Sequence, residues 1–302
     1  MKIHRIRNEK IYLTIKSLAK EKNYPVSMIC DIAKISRSAY YKWLNRDETK
    51  SDIKNKKALK LIRSLYNENK YLGYRQMGII LRRDCDMIIN DKRVYRLMKV
   101  EGMKSIVRKK KRNCKNTTPE ITAQNILNRK FKCEYSNEKW LTDVTEFKYA
   151  GTKKAYLSAI LDLGDRRIVA YKVSKYNNND LVFNNFDEAV ALNPHAHPLF
   201  HSDRGFQYTT RVFRDKLNKA KMKQSMSRPG RCIDNGPMEG FWAILKTEMY
   251  HLKTFKDYES LKSKIDEYMI YYNSRRYQKK LNCMTPLEYN KCISKVCHSK
   301  KC

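Results

Sequence analysis

Three strand-like runs separated by two tight turns constrain this chain more than any other stretch. WLTDVTEFKY (Trp140 to Tyr149) alternates β-prone residues, Ala150-Gly151-Thr152 turns, AYLSAILDL (Ala155 to Leu163) is apolar, Gly164-Asp165 turns again, and RRIVAYKVS (Arg166 to Ser174) completes the set. Such a pattern predicts a three-strand meander. A helix over Leu181 to Leu192 follows, then a short strand through Pro198-Leu199-Phe200, a helix near Thr210 to Ala220, a strand at Met222 to Met226, and a helix opening after Gly236-Pro237. The order β-β-β-α-β-α-β-α is that of a mixed sheet flanked by helices.

The flanking regions read as helical. From Tyr24, Ile29, Ile32, Ala33 and Ile35 precede a second short segment holding Tyr40, Tyr41, Trp43 and Leu44. Ser36 supplies a turn and cap between them, and Arg37, Ser38 and Lys42 would line the exposed side of the second helix, as in helix-turn-helix readers of DNA; an ordinary helical hairpin fits equally. Ala58, Leu61, Ile62, Leu65 and Tyr66 make a stripe on a longer helix, Tyr74 to Arg83 forms another, and Asn90 caps a third whose Val94, Leu97 and Met98 face inward, with Arg93 and Arg96 outward. The basic run Arg108, Lys109, Lys110, Lys111 and Arg112 would lie along a phosphate backbone. After Asp257, Leu261, Ile265, Tyr268, Met269 and Tyr272 again mark a helix, and Thr285-Pro286 starts one more. The expected divisions are a helix-turn-helix-like region 1–50, a second one 51–112, a linker 113–137, an α/β core 138–252 and a basic helical segment 253–302.

Charge narrows the partner. With 65 Lys and Arg against 31 Asp and Glu, the formal net charge is +34, which favours a polyanion through counterion release, or else a lysine-rich solvated surface. No run approaches the ~18 apolar residues of a membrane span, and the start lacks a secretory pattern. The expectation is a cytoplasmic, nucleoid-associated protein with no membrane partner, whose nine cysteines stay free thiols.

Three carboxylates stand out in the α/β region. Asp143 is mid-strand, Asp203 sits where a strand ends, and Glu239 falls in the first turn of the helix that Pro237 opens, with Asp234 or Asn235 able to cap it. Met238, Phe241, Trp242, Leu245, Met249 and Leu252 define that helix's buried face; Glu239, Ala243 and Lys246 lie off it. Acids from a strand, a strand end and a helix start can hold divalent metal for phosphoryl transfer. By position alone, such a triple among 31 acidic residues is weak evidence.

The surrounding words are far more specific. WLTDVTEF, HSDRGFQYT and SMSRPGRCIDNGPMEGFWAILKTE resemble the three catalytic blocks of DDE transposases of bacterial insertion sequences, the integrase-like second-frame protein of the insertion-sequence-three family. Asp203 and Glu239 are separated by 35 residues, the spacing that family shares with retroviral integrases, and Lys246 matches its basic residue seven positions after the Glu. SRSAYYKW, GYRQM, NILNRKF, YMIYYNSRR and MTPLEY extend the likeness over nearly the whole chain.

The resemblance implies a ribonuclease H-like catalytic core, with a mixed five-stranded sheet and flanking helices, between an all-α N-terminal region and a helical C-terminal segment. It implies two Mg²⁺ or Mn²⁺ ions, Asp143 bridging both and Asp203 and Glu239 each holding one, while Lys246 contacts DNA. It implies cleavage at insertion-sequence ends and transfer of the freed 3′-OH into target DNA, by a homo-oligomer assembled on the terminal inverted repeats. Fusion to an upstream-frame protein carrying a zipper is common in the family, and this chain has no zipper. Ile233 and Phe206 depart from the family's usual residues and would tune packing or DNA fit. The rival readings are a catalytically silent DNA-binding protein or repressor and a nuclease that only hydrolyses.

Four further features are weaker. His195, His197 and His201 form a His-rich spacing, and Cys292, Cys297, His298 and Cys302 a terminal one. Asp162 lies either near the acidic site or in a turn before Gly164. Trp140 and Trp242 read as core.

Overall fold

A computed structural model describes residues 3–45, 47, 49–106, 123–229, 231–251 and 253–299. Contacts divide the chain into two units, residues 1–106 and 107–302. The basic run Arg108, Lys109, Lys110, Lys111 and Arg112 lies outside the described residues, as do Leu252 and the side chains of Cys297, His298 and Cys302.

The first unit is all helical. Helix α1 (Ile3–Glu21), which the sequence reading did not anticipate, packs Ile15 against Ile29, Cys30 and Tyr40 of α2 (Val26–Ile32) and α3 (Arg37–Leu44). Tyr12 stacks on Trp43 with ring centroids 5.2 Å apart. Ser36 caps α3 as expected, accepting from the Ala39 amide, and Arg37, Ser38 and Lys42 are exposed. Helices α4 (Lys50–Glu68), α5 (Tyr74–Arg83) and α6 (Asp91–Val100) bury Ala58, Ile62, Met77, Leu81, Val94, Leu97 and Met98 together. Thr49 and Asp52 form a capping box on α4, and Asn90 caps α6.

Arg96 is exposed, but Arg93 is not outward as expected. Its Nε donates to Asn55 Oδ1 at 2.8 Å and its Nη2 to Ser51 O and Oγ, so its guanidinium ties α6 to α4. The reason is local. Asn55 is a buried polar side chain on α4, and burial requires a hydrogen-bond partner.

The second unit is built on a five-stranded sheet ordered β3-β2-β1-β4-β5. Strands β1 (Lys139–Tyr149), β2 (Lys153–Asp162) and β3 (Ile168–Ser174) form the antiparallel meander, and β4 (Leu199–Ser202) and β5 (Lys223–Met226) extend it in parallel from β1. This is the mixed sheet that the resemblance implies. Ala150 (φ 43°) and Gly151 (φ 77°) both turn left-handed to close the first hairpin. Asp162 is the last residue of β2, its Oδ1 accepting from Gly164 N in the turn that follows and its Oδ2 from Asn137 N.

Period two sends successive β1 residues to opposite faces. Leu141, Phe147 and Tyr149 join the core beneath α9 (Gly236–Leu245) and α10 (Tyr258–Ser274); Trp140 joins the other, beneath α7 (Asn179–Leu192) and α8 (Arg211–Lys219). Helix α11 (Pro286–Ser299) follows α10, with Thr285 and Glu288 exchanging hydrogen bonds at its start. The Tyr268 hydroxyl and the Arg276 guanidinium both bond Glu248, pinning α10 to the end of the Glu239 helix. Residues at the end of the expected linker belong to the fold as well. Leu127 is 1% exposed, and the amides of Ile126 and Leu127 donate to Ser225 Oγ. Among the described residues no helix is long and apolar enough to cross a membrane.

Candidate active site

The parallel pairing of β1 with β4 brings the first two acids together. Leu141 lies opposite His201, so two residues beyond that pair Asp143 comes near Asp203, whose charge it feels. Pairing with Ala159 of β2 holds Asp143 within the sheet, whereas Asp203 stands just past the end of β4. Glu239 lies in the first turn of α9, near enough for its charge to bear on Asp143.

Each strand carboxylate is held by named donors. Asp143 Oδ1 accepts from the Val144 amide at 2.8 Å and Oδ2 from Trp242 Nε1 at 2.9 Å; Asp203 Oδ1 accepts from the Gly205 amide at 2.9 Å. A side chain at Gly205 would crowd this, because its Cβ would stand 3.0 Å from Asp203 Oδ1. Burial, followed by the charge of Asp203, pushes the Asp143 carboxyl up to about 7; the Trp242 and Val144 bonds oppose the rise, and Glu239 adds to it. Burial raises Asp203 as well, against the lowering effect of the Gly205 amide.

Helix α9 is anchored onto β1 near this point. Asn235 Nδ2 donates to Thr142 O at 3.1 Å, one residue before Asp143. The cap expected of Asp234 or Asn235 is not formed: Asn235 occupies the cap position without a capping side-chain bond, and Asp234 is drawn instead to arginines. From behind the sheet, the buried Tyr208 hydroxyl pairs with Thr142 Oγ1 at 3.1 Å. Lys246 follows the last residue of α9, at the start of a π-helical turn (Lys246–Tyr250), and its Nζ lies 5.2 Å over the Phe147 ring. Phe147 shares the sheet face of Asp143, so the lysine stands further along the same strand face.

Three carboxylates suit a hard divalent cation by their oxygen donors, and the raised Asp143 marks negative charge that a cation would relieve. The set is open. Among the described residues, no group of three His, Cys, Asp or Glu is already gathered as a formed metal-binding cluster.

The histidine spacing does not assemble. Both ring nitrogens of buried His201 pair with hydroxyls, Ser225 Oγ at 2.9 Å and Ser227 Oγ at 3.1 Å, while His197 Nδ1 meets Ala220 O. Phe206 and Ile233 are 53% and 61% exposed, so neither belongs to the core. Trp242 is core, as read, but it also holds Asp143. Its spacing from Glu239 gave no sign of that bond, which depends on the angle at which α9 crosses β1.

Residues 134–232 and 239–292 each match the family described as the integrase core domain, and residues 53–111 match the HTH-like domain. The protein named "Putative transposase InsK for insertion sequence element IS150", from Escherichia coli (strain K12), is 40% identical over 88% of this chain and 93% of its own. An uncharacterized transposase-like protein of Haemophilus influenzae is 40% identical over 67% of this chain and 93% of its own. Transposase InsF for insertion sequence IS3A of Escherichia coli is 22% identical over 82% of this chain and 86% of its own.

Proposed function

Because the chain belongs to the transposases of bacterial insertion sequences, in the insertion-sequence-three family, we propose that Asp143, Asp203 and Glu239 are its catalytic acids and hold two Mg²⁺ or Mn²⁺ ions. The observation that carries this reading is the parallel register of β1 and β4, which sets Asp143 beside Asp203 within the electrostatic reach of Glu239. When bound, the ions polarise the scissile phosphodiester and lower the cost of forming the attacking oxyanion.

The chain's own residues prepare that site. Val144 N and Trp242 Nε1 fix both oxygens of Asp143, and Gly205 N fixes one oxygen of Asp203, so the acids are oriented by backbone and indole rather than by mobile side chains. In strand transfer a 3′-OH oxygen bonds to phosphorus as the P–O bond to the neighbouring 3′-oxygen breaks. The attacking hydroxyl gives up a proton and the leaving oxygen gains one. Lys246, a cation that cannot ligate metal, is proposed to contact the DNA. Arg37, Ser38, Lys42 and Arg96, exposed in the first unit, are proposed to contact the element's end, together with the basic run 108–112. Two ends must be held at once, so the active form is a homo-oligomer on DNA. The finer division into 1–50, 51–112, 113–137, 138–252 and 253–302 belongs to the same proposal, as does joining to an upstream-frame partner.

The test uses a labelled oligonucleotide that ends in the element's terminal repeat with a free 3′-OH, incubated with plasmid target and Mg²⁺. Glu239→Gln is expected to abolish joining and leave DNA affinity nearly unchanged; appreciable joining by that variant overturns the assignment. Cutting without joining by the native chain would instead identify a hydrolytic nuclease.

A further inference from the structure

A second charged site lies beside the acidic one. Asp234 is fully buried, and it is surrounded by donors: Arg228 Nε and Nη2 at 2.9 Å each, the Arg228 amide at 3.1 Å, Arg129 Nε at 2.8 Å and Asn125 Nδ2 at 2.9 Å. Arg228 above all holds this carboxyl well below the usual carboxylate range. Stapling one buried acid needs one guanidinium. Here two converge, leaving a surplus positive charge, and both side chains reach outward, 41% exposed for Arg129 and 46% for Arg228.

A third guanidinium joins them. Arg204 directly follows Asp203, and its Nε donates at 2.9 Å to Ser227 O, the carbonyl just before Arg228. The Ser227 amide in turn donates at 2.9 Å to Ser202 O, at the end of β4. Short backbone links therefore connect Arg204 and Arg228 to the strand end that presents Asp203, and the shared Asp234 carboxylate ties Arg129 to Arg228. Each guanidinium carries five N–H donors in a planar fork, of which the contacts above use one or two, so donors remain for a ligand. A fork anchored at one edge and open at the other matches the paired oxygens of a phosphodiester.

We propose that Arg129, Arg204 and Arg228 form a phosphate-binding rim that grips the DNA backbone next to the reacting phosphodiester, with Asp234 as the buried counter-ion that aims two of them. The rim rests on the reading of Asp203 as part of the reacting site. Its function is positional. Anchoring each arginine in advance lowers the side-chain entropy lost when DNA binds, which free surface lysines must lose in full.

The experiment measures duplex binding and 3′-OH joining by the full chain across a salt series. Each phosphate contact contributes a slope of about −0.9 in log K against log salt. Arg129→Gln and Arg204→Gln should each reduce that slope by about one unit, lower affinity at 0.1 M salt by roughly tenfold, and lower joining at fixed DNA concentration; Arg204→Gln should leave the melting temperature nearly unchanged, and Arg129→Gln should lower it modestly because Arg228 still holds Asp234. Arg228 is tested as the double variant Arg228→Gln/Asp234→Asn, which removes both charges and leaves no stranded buried acid. A salt slope equal to that of the native chain in the Arg129 and Arg204 variants overturns the rim. Asp203→Asn separates the two readings: it should lose joining and keep the native slope, whereas normal joining by Asp203→Asn with reduced slopes in the arginine variants would leave the rim standing and remove the acidic site.

Discussion

Replacing Asp143 by Asn should stabilise the metal-free protein at pH 8 while abolishing its activity. Burial and the charge of Asp203 raise this carboxyl from 3.8 to about 7. A folded-state value above the unfolded one means that the folded chain holds the proton more tightly, so stability is lost as pH rises from about 4 through about 7. Three units at 1.36 kcal/mol each amount to ~4 kcal/mol, part of it shared with Asp203. Unfolded aspartate is already ionised at pH 5, so about two-thirds of the effect, ~2.5 kcal/mol, falls between pH 5 and pH 8.

An opposing effect must be weighed. Both Asp143 oxygens accept hydrogen bonds, from Val144 N and Trp242 Nε1, and Asn can accept only one of them, at a cost of about 1 kcal/mol or more. That cost is nearly independent of pH, so the comparison of two pH values cancels it. For a unit of this size the variant's advantage should grow by roughly 5–10 °C in Tm between pH 5 and pH 8. The assay is thermal unfolding with chelator present, followed by tryptophan fluorescence, since Trp140 and Trp242 both lie in the second unit's cores. Equal differences in Tm at the two pH values would refute the charge-crowding argument. Adding Mg²⁺ at pH 8 should then raise the native Tm and leave that of Asp143→Asn unmoved.

Lys246→Ala should lower joining at least tenfold while the Mg²⁺-induced gain in Tm persists; unchanged DNA affinity and joining rate would remove Lys246 from the site. Burial above all depresses His201 to about 4, so the stability it contributes is present above pH 6.5 and lost as pH falls toward 4, ~2–3 kcal/mol by pH 4.5. His201→Asn should flatten that acid limb in melts at pH 7 and pH 4.5, and an unaltered limb would show that other groups cause it. Arg276→Ala should cost about 3–5 kcal/mol in urea unfolding, because it strands Glu248 against the buried Tyr268 hydroxyl. The Arg276→Met/Glu248→Gln pair should recover much of that loss.

Local patterns were sufficient for the elements themselves. Alternation and turn residues marked β1 to β3, and the stripes at Ala58–Ile62–Leu65 and Leu261–Ile265–Tyr268 marked α4 and α10, because period and capping are properties of neighbouring residues. Helix α1 carries the same signal, since its Ile11, Tyr12, Ile15, Leu18 and Ala19 recur at helical spacing and pack against α2 and α3, yet the sequence reading began only at Tyr24.

The acidic residues were legible in the sequence because the words around them are specific, and the 35-residue interval between Asp203 and Glu239 is a property of the chain alone. Their neighbours were not. Trp242 on Asp143, Asn235 on Thr142 and Arg93 on Asn55 are each pairings between elements distant in sequence, set by how a helix crosses a strand or another helix. Asp234 shows the difference most sharply. One residue from a helix start, its local chemistry is that of a cap, yet two arginines, one of them 105 positions away, compete for the same oxygens and win because charge-assisted bonds to a buried carboxylate outweigh a single amide. The sequence by itself determined which acids are present and what elements carry them; only the tertiary structure decided which donors orient them and which cations stand alongside, because hydrogen-bond geometry and burial exist only once the β1–β4 register and the angle of α9 are set.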